Sequence, residues 1–473
     1  MSRKDSMPRK PNISLTVAGI ILLVANALLL FIVIPAVSSR MNPAYGQDKY
    51  ADGYDQLADN LAEGNGYRFY PETALTMMRE PGYPVLLAGL QLAFGKSFLV
   101  VKAANMCLAL TTAWLLTLIT RRLSCNPWSQ LIPSVLFLFH PGTLVAESRG
   151  GVEILFTFLI VLFMVGFFRA AERSRWWLFA GCGGILGLAV LVKSTPLLFP
   201  VFLLAYLVAT QWQRRWAAVA QMACMAAALL AVLSPWIARN FQLTGRFVPT
   251  ASVFGVSAQA GEYICAHRSE GKPMWVLDRE AAFQRSDIGH RLGYQFRNDY
   301  YYQTFYRSID ELTFSSVLTQ RVFAEYRQNP LLCLKCVSGN FINFWFAGRT
   351  EQSTLTNVLV QLPYLILGGV GLVLGLRNSG ARVLGPLVLF MAYFMSVYVP
   401  ILAQARYSMP LIPFVSVLGG ISIAAIRERL SSRARLRVRA ASIYRKKELM
   451  SIDQEKTERA GVLGLLHEQG DRQ

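Results

Sequence analysis

Acidic residues that could act as a base are concentrated between Asp48 and Pro84. Asp48 and Asp52 both precede a segment with a helical spacing of apolar residues, close to the end of the first long apolar run. A carboxylate at such a point can be partly desolvated and held near a lipid head group, which suits a general base. Three other acids of this stretch fit the solvated face of the predicted helix: Asp55, Asp59 and Glu63.

Cationic residues near the outer ends of apolar runs could hold a phosphate. Arg406 lies in a connection of about four residues between two runs, where a charge is costly and is therefore a functional candidate, with an interfacial anchor as the alternative. Three further cations stand at run ends: Lys193, Arg149 and Arg239. Glu80 and Glu153 could orient these cations or bind an acceptor. His140 is either a polar contact or a hydrogen-bonded core histidine.

The composition is too apolar for an ordinary soluble protein. Of 473 residues, 53% are hydrophobic and 16% are charged, and 47 Lys and Arg against 28 Asp and Glu give a net charge of +19. Soluble proteins carry about 25% charged residues. The basic excess has two explanations, which are nucleic-acid binding and the positive-inside rule of membrane proteins.

The apolar runs predict an all-α polytopic membrane protein, a bundle of about ten transmembrane helices with outer-face loops. The first run, 13–37, follows a basic N-terminus and is too long for the core of a signal peptide, so we interpret it as an uncleaved span. The other nine runs lie near 97–119, 127–146, 152–169, 176–192, 194–211, 216–237, 355–376, 383–403 and 408–426.

The distribution of charge decides between the two explanations. With the N-terminus inside, every short inside connection is basic, as is the C-terminal tail, and the outer connections contain most of the acids. This pattern favours the positive-inside rule, places both termini in the cytoplasm and predicts no nucleic-acid partner. The predicted segments are a cytoplasmic N-terminus (1–12), a transmembrane catalytic module (13–237) with an outer loop (38–96), an outer cap (238–354), C-terminal spans (355–426) and a basic tail (427–473).

Two local patterns complete the outer segments. The spacing from Tyr54 to Leu61 predicts an amphipathic helix along the membrane surface, and the apolar stretch 331–347 predicts an interfacial helix within the cap. Cys333-x-x-Cys336 could be a disulfide or half of a metal site, but ordinary structural cysteines are the favoured interpretation. Four cysteines in or beside apolar runs are predicted as small core residues: Cys107, Cys125, Cys182 and Cys224.

Several motifs then occur in an order typical of one family. In the first outer segment they are Asp52-Gly53-Tyr54, Leu57-Ala58-Asp59-Asn60-Leu61, Gly64-Asn65-Gly66-Tyr67 and Arg79-Glu80-Pro81-Gly82-Tyr83-Pro84. Further along they are His140-Pro141 with Glu153-Ile154-Leu155-Phe156, Gly184 to Ala189 with Lys193, Ser234-Pro235-Trp236 with Arg239-Asn240, and Ala403-x-x-Arg406-Tyr407 with Pro410 and Pro413. Together they resemble the family 39 type membrane glycosyltransferases, which include protein O-mannosyltransferases and the bacterial aminoarabinose transferase of lipid A.

The resemblance implies a GT-C fold with its site open to the outer face and a polyprenyl-phosphate-linked sugar as donor. It also implies that the first-loop aspartate activates the acceptor. We choose Asp52 for this role, although Tyr50 stands where the family's aspartate is expected, so Asp48 remains an alternative. Arg79 matches the basic position that contacts the phosphate, with a membrane-surface arginine as its alternative. Two tyrosines of the same motifs are predicted to support the site: Tyr54 and Tyr83.

The predicted function is therefore inverting sugar transfer to a lipid, glycan or protein acceptor on the outer face of a bacterial inner membrane, among membrane lipids. A transporter or flippase of a lipid-linked sugar is one alternative. A polysaccharide ligase or polymerase that uses a pyrophosphate-linked donor is another. No cofactor is identified. The outer face lacks an Asp-x-Asp motif, and a divalent metal requirement stays open.

Overall fold

The computed structural model describes residues 13–36, 51–123, 127–298, 303–378 and 381–431. Almost all of them are helical. The exception in the described cap is a two-stranded antiparallel sheet of β1 (Phe296–Asn298) and β2 (Gln303–Phe305). Phe296 pairs with Phe305, and Asn298 pairs with Gln303.

The helices follow one another with short connections. In the first half they are α1 (Ile13–Leu28), α2 (Tyr54–Ala62), α3 (Gly82–Phe94), α4 (Phe98–Thr120), α5 (Pro127–Leu138), α6 (Pro141–Ser148), α7 (Val152–Arg173), α8 (Trp176–Val192), α9 (Phe199–Thr210) and α10 (Arg215–Thr244). In the second half they are α11 (Phe254–His267), α12 (Met274–Arg291), α13 (Ser308–Gln328), α14 (Pro330–Phe346), α15 (Glu351–Asn378), α16 (Ala381–Tyr398) and α17 (412–431).

Each predicted apolar run falls on a helix, but not every helix has the length of a span. Among the described residues, six helices are long and apolar enough to cross a membrane, and α5 with α6, bent by 54°, would make a seventh. The other runs are shorter apolar helices: Trp176–Val192, Thr195–Thr210 and Leu384–Tyr398. Since a bilayer core needs about 20 helical residues, length and composition support six or seven spans where the sequence predicted about ten.

The transmembrane core is built around α7, α8 and α10. Two thirds of the apolar window of α7 is buried by protein. The contact between α8 and α10 depends on small residues, because a Cβ at Gly183 would lie 2.0 Å from the carbonyl oxygen of Met225. Such close backbone contact is a common way for helices to associate within a membrane.

The cap contains α11 to α14 and the β-hairpin. A disulfide joins Cys265 of α11 to Cys336 of α14, with their Cα atoms 5.5 Å apart. The favoured interpretation of Cys336 as an ordinary structural cysteine was therefore wrong, because its partner lies 71 residues away in the chain, and Cys333 is a free thiol. Of the predicted core cysteines, Cys182 is buried, Cys107 is exposed, Cys224 is half-buried and Cys125 lies outside the described residues.

Two predicted surface helices are present as α2 and α14. The apolar side of α2 is covered by protein and not presented to lipid, since Tyr54, Leu57 and Ala58 are all buried. The chain also divides into two compact units, Met1–Ile421 and Ser422–Gln473. In the second unit the described residues 422–431 are helical.

Candidate functional site

Asp52 is held in an unusual backbone conformation immediately before α2. It lies in a single helical turn, Ala51–Gly53, with φ 71° and ψ 19°, and Gly53 follows with φ 73° and ψ 17°. Left-handed φ values are uncommon for residues other than glycine, although aspartate and asparagine adopt them more readily than most. Such strained residues concentrate at functional sites, where the surrounding structure holds them in place.

The carboxylate of Asp52 lies between two arginines from distant parts of the chain. Nη1 of Arg406 donates a hydrogen bond of 3.0 Å to Oδ2 of Asp52. Nη2 of Arg79 is 4.0 Å from Oδ1. The side chains of Asp52 and Arg79 are 21% and 16% exposed, so their ion pair is largely shielded from water, whereas the Arg406 side chain is 36% exposed.

These cations dominate the electrostatics of Asp52. Burial by itself raises the pKa of the carboxyl, but the charges of Arg406, Arg79 and Lys193 oppose it and lower the pKa to about 2. Asp52 is therefore an anion at neutral pH, and it is a weak base for as long as both guanidinium groups remain beside it.

Each arginine is positioned by its own segment. Arg406 opens the tight helical turn Ala405–Leu411, and its guanidinium lies 5.1 Å from the centre of the Tyr407 ring. The main chain around Arg79 is held by Tyr67, whose hydroxyl donates to the carbonyl oxygens of Arg79 and Glu80, at 3.0 Å each. The guanidinium of Arg79 also lies over the ring of Tyr54, 5.7 Å from its centre.

A second ion pair lies beside the first. Nζ of Lys193 is 3.4 Å from Oε1 of Glu153, and both side chains are 13% exposed. The same ammonium is 5.6 Å from the ring centre of Tyr407, the residue next to Arg406. We call Asp52, Arg79, Arg406, Lys193 and Glu153 the Asp52 cluster. It combines three cations and two carboxylates from four separate segments.

Glu80 connects the first outer loop to the turn that carries Lys193. Its Oε1 accepts a hydrogen bond of 2.9 Å from the backbone N–H of Ser194. The backbones of Gly82 and Leu191 also approach closely here. A Cβ at Gly82 would lie 2.8 Å from the carbonyl oxygen of Leu191, so a larger residue would not fit without a shift. Glu80 is 6% exposed, so this hydrogen bond is shielded from water.

Tyr83 and His140 are two further predicted site residues that are not members of the Asp52 cluster. Tyr83 is buried and donates to the carbonyl oxygen of Gly150 at 2.5 Å, while its ring packs edge-on against Tyr54. His140 caps α6, since its Nδ1 accepts from the N–H of Gly142 at 3.1 Å. Its buried Nε2 has no hydrogen-bond partner among the described residues, so both interpretations of His140 stay predictions.

Arg239 and Arg149, two predicted phosphate ligands, are not members of the Asp52 cluster. Arg239 lies 4.6 Å from the centre of the Trp236 indole and donates to the carbonyl oxygen of Tyr67 at 3.4 Å. Arg149 is exposed at the C-terminal end of α6. The alternative base, Asp48, lies outside the described residues. The roles of all these side chains stay predictions.

The cap contributes charged residues that no motif in the sequence marks as functional. The N–H of Trp275 in α12 donates to the carbonyl oxygen of Arg349 at 3.3 Å, and the N–H of Ala405 donates to that of Ala347 at 2.9 Å. These bonds place α12 beside the Asp52 cluster. Burial raises the pKa of Asp278 in α12, against the opposing charges of Arg285, Arg406 and Arg349.

Glu311 is a further acid that sequence reasoning missed. Its Oε2 accepts from the hydroxyl of Thr76 at 2.6 Å, and its Oε1 accepts from the N–H of Met77 at 2.9 Å and from the hydroxyl of Ser252. The residue is 5% exposed. Glu311 thereby fastens α13 to the loop that leads to Arg79.

In the part of the chain that the structure describes, no group of three or more His, Cys, Asp or Glu side chains is arranged to hold a metal ion. The described site consists of carboxylates and cations. Such a set can bind an anion and accept a proton.

Comparisons with known proteins agree with this description. Residues 79–238 match the family model of dolichyl-phosphate-mannose-protein mannosyltransferases. The oligosaccharyltransferase of Archaeoglobus fulgidus, solved with a tethered acceptor peptide, superposes with a TM-score of 0.54 at 16% identity, over 90% of this chain and 51% of that one. The chain thus spans about half the length of that protein. A search of curated protein sequences gives no significant match.

ArnT from Cupriavidus metallidurans is also similar in structure. Its complex with undecaprenyl phosphate has a TM-score of 0.40 and 13% identity, and the apo form has 0.37 and 14%. In both, the match covers 86% of this chain and 78% of that one.

Residues 79–238 therefore match a mannosyltransferase family model, and the chain shares the fold of a membrane oligosaccharyltransferase. The predicted resemblance to family 39 type enzymes is confirmed, as is the all-α GT-C fold. The long apolar helices indicate an integral membrane protein.

Proposed function

We propose that this protein transfers a sugar from a polyprenyl-phosphate donor to a hydroxyl or amine acceptor at the outer face of the membrane. The observation that carries the proposal is the position of Asp52 between Arg79 and Arg406. Sugar transfer from a phosphate needs a base for the incoming nucleophile and cations for the leaving group. The Asp52 cluster holds both within one small site.

Because the pKa of Asp52 is low, the donor has to raise it before this carboxylate can act as a base. Without donor, Asp52 is the counter-ion of both arginines, which makes it a poor proton acceptor. The donor phosphate carries the same sign of charge and binds the same guanidinium groups, since arginine binds phosphate through two parallel bonds. When the phosphate takes over as counter-ion, the pKa of Asp52 rises and the carboxylate becomes an effective base.

The chemical step then involves two bonds and one proton. The acceptor oxygen or nitrogen attacks the anomeric carbon, and the bond from that carbon to the phosphate oxygen breaks, with inversion at the carbon. Its electron pair leaves with the polyprenyl phosphate, where Arg79 and Arg406 stabilise the charge. The proton of the acceptor goes to Asp52.

Lys193, Glu153 and Glu80 complete this arrangement. Lys193 is close enough to lower the pKa of Asp52, and it supplies a third positive charge for the departing phosphate. Glu153 holds the ammonium of Lys193, and Glu80 holds the following turn by its bond to Ser194. The acceptor, a lipid, a glycan or a protein, would enter beneath the cap near Asp278.

The proposed location is the outer face of a bacterial inner membrane, and two observations support the outer-face part of this proposal. The basic short connections favour cytoplasmic termini, which puts the segments of Asp52, Lys193 and Arg406 on the opposite side. The disulfide between Cys265 and Cys336 lies in the cap, and disulfides form and persist in oxidising compartments.

Mass spectrometry of glycolipids and glycoproteins tests this function. Cells that produce the wild-type protein should contain a sugar modification that is absent without the gene and absent with Asp52→Asn. Asp59→Asn is the matched control, because Asp59 pairs with exposed Lys96 and has no contact with the arginines of the cluster. If Asp52→Asn retains the modification and Asp48→Asn loses it, the base is Asp48. Retention in both variants would overturn the proposed site.

A further inference from the structure

A cavity in the cap is lined by none of the residues of the Asp52 cluster. It has a volume of about 210 Å³ and is lined by α11, the start of α12 and α14, together with Leu402 and Ala403. The Cys265–Cys336 disulfide forms part of its wall and fixes α11 against α14. The shape of this cavity is therefore set by a covalent link.

The charged residues that line this cavity are cations. Arg268 and Lys335 are both exposed at its wall, and no acidic residue lines it. Within the described parts of the chain, neither side chain has an ion pair or a hydrogen bond. Nearby Lys272, in contrast, pairs with Glu270 and Glu280. Two cations without partners at one cavity leave a site for an anion.

The rest of the lining is apolar or amide in character. Ile264, Met274 and Ile342 contribute apolar surface, and Asn340 and Asn343 contribute buried amides. A ligand with a charged end and an adjoining apolar part would match this division, whereas a free inorganic anion would leave the apolar wall unused.

The exposed apolar side of α14 indicates that such a ligand would come from the lipid. Leu331, Leu334, Phe341 and Ile342 are all more than half exposed on this helix. In a chain with membrane-spanning helices, an amphipathic helix of this kind lies at the interface with its apolar side in lipid. Lys335 extends from the same helix, and basic residues at the interface attract anionic head groups.

We propose that Arg268 and Lys335 form a binding site for the phosphate of an anionic phospholipid, with the head group in the cavity and the acyl chains along α14. The cavity accommodates a head group, and the exposed apolar residues of α14 contact the chains. The inference concerns binding alone and does not rest on the proposed function. It gives the cap a specific attachment to the membrane surface.

Native mass spectrometry of the detergent-purified full chain tests the site, with phosphatidylglycerol and phosphatidylcholine as probes. The wild-type protein should bind phosphatidylglycerol more tightly than phosphatidylcholine. The double variant Arg268→Gln/Lys335→Gln should lose about tenfold of its phosphatidylglycerol affinity, because it loses charge-assisted hydrogen bonds to the phosphate. Its affinity for phosphatidylcholine should fall less, because the choline cation already balances that phosphate. Lys335→Arg, which keeps the charge, should bind as the wild type does.

Matched controls separate this site from general surface charge. Arg321→Gln/Arg327→Gln removes the same charge from exposed positions of α13 that do not line the cavity, and it should leave phosphatidylglycerol binding unchanged. An equal loss in both double variants would overturn the proposal. So would equal wild-type affinity for the two lipids, or displacement of phosphatidylglycerol by millimolar inorganic phosphate, which would identify a soluble anion as the ligand.

Discussion

Asp52 and Glu311 are both shielded carboxylates beside the same outer loop, yet their partners are of opposite kinds. Asp52 faces two guanidinium groups and has a strained backbone. Glu311 accepts hydrogen bonds from two hydroxyls and one backbone N–H, all of them neutral. Burial raises the pKa of Glu311 despite these bonds, whereas the arginines lower the pKa of Asp52.

The difference separates a reactive carboxylate from a structural one. Cations that balance a carboxylate can also be claimed by an incoming phosphate, so the partners of Asp52 are exchangeable. Hydroxyl and amide donors of the protein have no such competitor, so the partners of Glu311 are permanent. Asp52 should therefore control activity with little effect on folding, and Glu311 should do the reverse.

The largest effect is expected for Asp52→Asn. Asparagine adopts left-handed backbone conformations readily, so the fold should be retained while the base is lost. Transfer should fall about 10²- to 10⁴-fold, the usual contribution of a general base. The measurement is the rate of sugar transfer in purified membranes, with thermal unfolding of the same protein as its control for folding. A tenfold loss or less would show that Asp52 is not the base.

Loss of Arg406 or Arg79 should give the next largest effect. Each guanidinium is proposed to form charge-assisted hydrogen bonds with the donor phosphate, so Arg406→Gln or Arg79→Gln should raise the KM for donor about 10- to 100-fold. Donor titration of the transfer rate measures this. Arg239→Gln serves for comparison, because Arg239 packs on Trp236. If Arg239→Gln raised the KM as much as Arg406→Gln, the phosphate site would have to be extended to Arg239.

Glu311→Ala should destabilise the protein. It leaves Thr76, Met77 and Ser252 with unpaired buried donors, and each unpaired group costs about 1–3 kcal/mol. The thermal unfolding midpoint of Glu311→Ala in detergent should fall clearly. The midpoint of Glu311→Gln should fall less, because glutamine keeps an acceptor. An unchanged midpoint with lost transfer would remove the distinction between the two carboxylates.

The smallest effect is a difference between two pH profiles. The pKa of Asp52 is lowered to about 2 in the free protein, so the carboxylate is ionised at every higher pH. Because kcat/KM reports the free enzyme, it should show no acid limb from Asp52 between about pH 4 and pH 8. The donor complex should have a higher Asp52 pKa, so the acid limb of kcat should lie at higher pH than that of kcat/KM. Coincident limbs would argue against exchange of the counter-ion.

Much of the fold followed from local patterns in the sequence. Apolar runs of span length predicted the helices, and the spacing of apolar residues from Tyr54 to Leu61 predicted α2. Motif order and charge alternation predicted that Asp52 and Arg406 share a site, although 354 residues separate them. Both residues stand beside spans, and the membrane brings such connections together.

The cap could not be predicted in the same way. Glu311 meets Thr76 across 235 residues, and Cys336 meets Cys265 across 71. Neither contact has a periodic or membrane-imposed signal, because the cap helices pack on one another and on the first outer loop in three dimensions. The predicted count of about ten spans includes three apolar helices that are shorter than a full span, so the number of spans stays a prediction.

Binding of polyprenyl phosphate without a sugar tests the exchange of counter-ions most directly. Titration of the purified protein with this lipid should show that Asp52→Asn binds it at least as tightly as the wild type, because the competing carboxylate charge is gone. Arg406→Gln should bind it at least tenfold more weakly, for loss of one charge-assisted bond. If Asp52→Asn binds the lipid as weakly as Arg406→Gln does, Asp52 only organises the arginines and the proposed mechanism is wrong.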